Sequence, residues 1–142
     1  MHRVTRASIA VASLALLALG GSVAANAAPA IPLNTGQETT DARGGAHGFF
    51  GYTIGGDQFC YTLSVTGLTG GAVAAHVHIA ARHVAGPVLI PLSVPNESSF
   101  DVAACTTADP MLLAAIQANP RAYYVNVHTP KYPGGEVRGQ LK

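Results

Sequence analysis

Charge is scarce in this chain: Asp, Glu, Lys and Arg together make up 11% of its 142 residues. With 49% hydrophobic residues beside so few charges, a disordered acidic or basic tail is excluded. The net charge is only +1 with His neutral, so no basic footprint for nucleic acid exists. Tryptophan is absent and only two cysteines occur. Neither cysteine has a CxxC or CxxH neighbour, which leaves no cysteine metal knuckle. The Pro133-Gly134-Gly135 turn lacks the Gly-Lys-Ser/Thr end of a phosphate loop. No Gly-x-Ser-x-Gly elbow and no His-Glu-x-x-His occurs, and the scattered acids mark no glycosidase pair. No catalytic residue is singled out. The length excludes several ordinary domains, and no internal repeat is visible.

The one long apolar stretch lies at the N-terminus. Arg3 and Arg6 precede a run from Ala7 to Leu19 that only Ser8 and Ser13 interrupt, and small residues follow to Ala25-Asn26-Ala27. This order of charge, apolar core and A-x-A reads as a secretory signal peptide over residues 1–27, cut after Ala27. The apolar core is shorter than the roughly 20 residues a spanning helix needs. No cysteine follows it for lipid attachment, and no adjacent arginine pair marks the twin-arginine route. No later run approaches spanning length, so no membrane span is expected after signal removal. Residues 28–142 are expected to form one secreted, extracellular domain, large enough to fold alone.

That domain reads as short strands. Phe59, Tyr61, Leu63 and Val65 alternate with Cys60, Thr62, Ser64 and Thr66, the period of a half-buried strand. His47 to Ile54 precedes it across a Gly55-Gly56-Asp57 turn, which predicts a hairpin. Further strands are predicted over Val73 to Ala80, with Val77 and Ile79 facing the core, and over Ser99 to Cys105. Val88 to Val94 contains Pro91 and so predicts an edge or bulged strand. Arg121 to Thr129 and Glu136 to Leu141 form a last pair. Residues 28 to about 46 are rich in Pro, Gly and polar residues, and a loose start is expected there. One short helix is predicted after Asp109-Pro110, with Met111, Leu112, Ala115 and Ile116 as its packing stripe and Asn119-Pro120 as its end. The fold class is therefore all-β: an antiparallel β-sandwich with one short helix. Cys60 and Cys105, an even pair in an exported chain, predict a disulfide.

The histidines carry the chemistry. In Ala75-His76-Val77-His78-Ile79 the two imidazoles point to one face, since side chains at i and i+2 share it. In Tyr124-Val125-Asn126-Val127-His128, His128 shares a face with Asn126 and Tyr124. Side by side, the two strands bring His76, His78 and His128 together, a donor set that suits copper or zinc. Polar residues on a solvent face are the plainer alternative. His47 and His83 are conceivable fourth ligands but read more simply as loop or strand-end residues. Glu136 and Arg138 share a strand face, where they pair or address a ligand.

Several of these stretches together resemble the CHRD domain, named for the extracellular antagonist chordin. The stretches are Ala75-His76-Val77-His78, Ala85-Gly86-Pro87-Val88, Ala118-Asn119-Pro120, Tyr123 to Thr129, and Tyr132-Pro133-Gly134-Gly135-Glu136-Val137-Arg138-Gly139-Gln140-Leu141. The resemblance covers about residues 31–142 and implies an immunoglobulin-like β-sandwich or barrel. A looser resemblance, to copper-zinc superoxide dismutases, rests on His76-x-His78, a late-strand His128 and Arg138. It implies a copper site without the dismutase zinc loop.

Two functions follow from these readings. One is an exported binding module for an extracellular or cell-envelope ligand, with or without metal. The other is a His-rich metal site with redox activity toward superoxide. In the second, His76, His78 and His128 are ligands, Arg138 steers an anion, and Glu136 orients Arg138 or a ligand.

Overall fold

A computed structural model describes residues 30–142; the proposed signal peptide lies outside the described residues. Among the described residues are eight strands: β1 (Ile31–Asn34), β2 (His47–Gly55), β3 (Gln58–Thr66), β4 (Ala74–Ile79), β5 (Val88–Leu92), β6 (Phe100–Thr107), β7 (Tyr123–His128) and β8 (Val137–Gln140). One helix, α1 (Pro110–Ala118), precedes a short 3₁₀ turn at Pro120–Ala122. All strand pairs are antiparallel, in the order β5-β4-β7-β8-β1-β2-β3-β6.

The chain connectivity forces this sheet to curl. Laid flat, eight strands about 4.8 Å apart would separate β5 from β6 by about 34 Å. The segment 93–99 that joins them spans at most about 28 Å. The two edges therefore approach each other, and the result is a nearly closed, sandwich-like barrel. Segment 93–98 ties the seam: Tyr61 donates its hydroxyl to Ser93 O (2.8 Å), and the Leu68 and Ala72 amides donate to Ser98 O and Glu97 O.

Alternation sorts the side chains. The barrel interior is filled by Ile31, Leu33, Phe50, Phe59, Tyr61, Leu63, Val65, Ala75, Val77, Ile90, Val125, Val127 and Val137. The β2–β3 hairpin turns as expected, with Gly55 paired to Gln58 and Gly56 at φ 61°. Cys60 and Cys105 stand opposite one another in β3 and β6 and are joined by a disulfide, which ties edge strand β6 to its neighbour. Pro91 sits in edge strand β5, and the β4–β5 register shifts at Val77/His78, so both the edge and the bulge are present.

Three expectations need correction. The expected loose start does not reach Ile31–Asn34, which is an inner strand between β8 and β2; residues 28–29 lie outside the described residues. The four residues of that strand, with a Pro among them, are too few to reveal a period. Ile79 does not face the core but is 39% exposed, because it closes β4 just past the bulge. On α1, Asp109 caps the helix as predicted, accepting from the Met111 and Leu112 amides. However, Leu113 and Ile116 are the buried pair, while Met111 is 83% exposed and Ala115 also faces outward. Six consecutive apolar residues, Met111 to Ile116, define no unique stripe, so packing decided which face turns inward.

Candidate metal centre

The register that buries Val77 against Val125 also lines up the opposite, outer face of the barrel wall. There His76 pairs with Asn126, which in turn pairs with Arg138, and His78 pairs with Tyr124, which in turn pairs with Gln140. These outer side chains do not face open water. His78, Asn126, His128, Glu136 and Arg138 are all buried, and His76 is half-buried. The cover comes from three connections, residues 35–46, 80–87 and 129–136, which fold back over β4, β7 and β8 through polar contacts.

His76, His78 and His128 converge. One ring nitrogen from each lies within 4.8 Å of the other two. A common point therefore exists within about 2.8 Å of all three, from which small side-chain shifts reach the roughly 2.0–2.1 Å of a zinc–imidazole bond. The Nδ1 atoms of His78 and His128 face backbone carbonyls, Gly86 O and Pro133 O, each at 2.9 Å. A carbonyl only accepts, so both Nδ1 atoms carry a proton, and in the neutral form of each ring it is Nε2 that presents the lone pair. His128 Nε2 lies 3.0 Å from His76 Nδ1, while His78 Nε2 is buried without a partner. Fixing an imidazole through its second nitrogen is how protein sites orient metal-ligating histidines.

The surroundings disfavour imidazolium. Burial, with the neighbouring His128 and His78, brings the His76 pKa down to about 4. Burial lowers that of His128 as well, against the bond to Pro133 O, which acts in the opposite sense. Neutral rings are the state that ligates metal.

A stacked column braces the site. The His78 ring lies parallel to Tyr124, with centroids 4.7 Å apart and planes at 4°. On Tyr124 rests the Arg138 guanidinium, its carbon 3.3 Å from the ring centroid. Arg138 donates to Val84 O (2.8 Å) and Ala81 O (2.7 Å), Gln140 donates to Ala80 O, and the Gly86 amide donates to the Tyr124 hydroxyl. Together they hold down the 80–87 connection, which brings Gly86 O to His78. Gly86 is required for that approach, because a Cβ there would collide with Ile79 O.

The expected partnership of Glu136 and Arg138 is not how their polar groups are used. Glu136 accepts from the Thr69 amide (2.8 Å) and the Thr129 hydroxyl (2.7 Å), next to His128. Arg138 has no exposed surface and is committed to the 80–87 carbonyls and Tyr124. His47 and His83 stay outside the cluster, both exposed, His83 in a left-handed turn at φ 61°.

Two participants escaped sequence reasoning. Tyr124 was legible as a face-mate of His128 but not as the ring beneath His78. Glu38 gave no signal at all. It lies buried over Gly135, where a Cβ would collide with its Oε1, and burial pushes its carboxyl above the ordinary value. Bonds from Thr39 and Asn126 and the charge of Arg138 act in the opposite sense on it.

These features describe a class: a disulfide-linked antiparallel β-domain that carries three converging imidazoles under loops on its outer face. The chain belongs to the CHRD domain family, whose description matches residues 28–141. No curated protein and no solved structure matches the chain.

Proposed function

We propose that the protein is an exported CHRD-domain binding module that holds a copper or zinc ion on His76, His78 and His128. The observation that carries this reading is the arrangement of three ligand nitrogens around one point, two of them freed by carbonyl-bound Nδ1–H groups. The unpartnered, buried His78 Nε2 supports it too, since a lone pair enclosed without a donor is costly unless something binds it. Three neutral imidazoles suit either metal, which would add Lewis acidity with zinc or one-electron chemistry with copper. His76, the half-buried member, leaves a path to solvent.

In this reading Arg138 and Glu136 are positioning residues. Arg138 fixes the Tyr124 ring and the 80–87 connection, and Glu136 fixes Thr129 beside His128. Export rests on the signal-like residues 1–27, and the Cys60–Cys105 disulfide fits an extracellular protein. Titration calorimetry of the purified protein with Cu²⁺ and Zn²⁺ tests the reading. Micromolar or tighter binding is expected, lost in His78→Ala; equal, negligible heats for both proteins would overturn it.

A further inference from the structure

Strand β6 is one of the two edges of the sheet, and its ladder with β3 fixes which of its groups face outward. The Ala108 amide donates to Asp57 O (3.0 Å), one position beyond the Gln58–Thr107 pair. In an antiparallel ladder such bonds recur at every second residue. The amides and carbonyls of Phe100, Val102, Ala104 and Thr106 therefore point to β3, and those of Asp101, Ala103, Cys105 and Thr107 point away from it. No strand or loop among the described residues pairs with that outward row. The inner side chains of Val102 and Ala104 are only half-buried, whereas Leu63 and Tyr61 opposite them on β3 are buried.

A solvent-open cavity of about 500 Å³ accompanies this edge, lined by Val94, Pro95, Glu97, Phe100, Asp101 and Val102 together with Ser93. Phe100 and Val102 belong to the inner face of β6 and Asp101 to its outer face. A space that touches both faces of one strand lies along an edge of that strand, and the other edge is taken by β3. Both ionisable side chains in the lining are acidic, and the rest is mostly apolar. The opposite edge of the sheet is guarded. Strand β5 carries Pro91 and a bulge at Leu89, the residue left over between the Val77–Ile90 and His78–Val88 pairs. Proline and bulges both stop edge-to-edge pairing. Strand β6 holds neither proline nor lysine, and Asp101 is its one charge.

We infer that β6 is a docking edge for an extended peptide strand of a partner protein, with a lysine or arginine of that strand beside Asp101 and Glu97. A row of alternating donors and acceptors is matched by another extended backbone, the mode of strand addition. Such a strand also covers Val102 and Ala104 with its inward side chains. The stem of the basic residue packs on the apolar lining while its charge meets the carboxylates. A second copy of the barrel fits less well, because the curl of the sheet turns this edge toward β5, where a single chain is slim enough to enter. The inference names a partner for the binding-module part of the proposed function and rests on that part, not on the metal.

The test is NMR titration of the protein with the acetylated, amidated hexapeptide TVKVTV. Saturable amide shifts centred on residues 100–107 are expected. The same peptide N-methylated at two adjacent central amides, which blocks both of its edges, should bind about tenfold more weakly or worse. Ala103→Pro removes an outward amide without touching the β3 ladder and should weaken binding several-fold while the β3 amide signals stay in place. The methylated peptide leaves the protein unaltered, so the outcome does not depend on how that variant folds. TVKVTV should bind about threefold more tightly than TVEVTV, and Glu97→Gln/Asp101→Asn should abolish the preference. Shifts that do not saturate, equal binding of the methylated peptide, or no preference for lysine would overturn the inference. So would sedimentation of the protein alone as a dimer that Ala103→Pro disperses, since the edge would then serve a second copy. His78→Ala should bind the peptide like the native protein, and titration with Cu²⁺ or Zn²⁺ reports separately on the histidine site.

Discussion

Proton uptake by His76 and His128 links the site to stability. Both imidazoles have pKa values below their ordinary 6.5 in the folded chain, His76 at about 4. On acidification the unfolded chain takes up protons first. Their contribution to the stability of metal-free protein is thus intact above pH 6.5 and is lost as pH falls toward 4. Urea midpoints measured with chelator should drop across that window, and His76→Gln/His128→Gln should flatten the drop. Arg138 is a second residue-scale test. Arg138→Met leaves Val84 O and Ala81 O unpaired under the 80–87 connection and removes the cation from Tyr124. Destabilisation of about 3 kcal/mol by denaturant titration is expected. Metal affinity should fall as well, because Gly86 O would no longer be held against His78. Some of this was legible in the sequence. The i, i+2 spacing of His76 and His78 and the late position of His128 needed only strand alternation. The carbonyls that set their tautomers belong to loops, and loop placement leaves no periodic trace.

Elements with a strict period were read closely, while short or uniformly apolar ones were not. β3 alternates over nine residues and falls where its pattern places it. β1 has four residues, and α1 offers apolar side chains on several faces. In α1 the cap and the end were legible because Asp109, Pro110 and Asn119-Pro120 act locally. The buried face was not, because it depends on distant partners. Paired substitutions should expose this difference. Ile116→Ala should cost about 2–5 kcal/mol, whereas Met111→Ala should be nearly silent in the same chemical denaturation assay. Asp109→Ala should cost about 1 kcal/mol through loss of the two capped amides.

Across the whole molecule, the disulfide joins residues 45 apart in sequence but opposite in register. Chain-entropy arguments assign such a closure about 4 kcal/mol, a model-dependent figure. Reduction should therefore lower the denaturation midpoint measurably while the β3–β6 ladder still guides folding. Mass spectrometry of exported material should find no free thiol. The barrel form itself was only partly legible: seven of the eight strands and their antiparallel character follow from pattern, but β1 does not, and near-closure follows from the short β5–β6 connection, which has meaning only once the strand order is known.

Because the wall of this barrel is a single layer of chain, neighbouring residues along β4 and β7 answer to different masters. Val77, Val125 and Val127 hold the domain together, while the residues between them carry the imidazoles. A lineage could trade those imidazoles for other donors, or discard them, without disturbing the hydrocarbon interior. Chemical novelty in such a scaffold needs no new architecture.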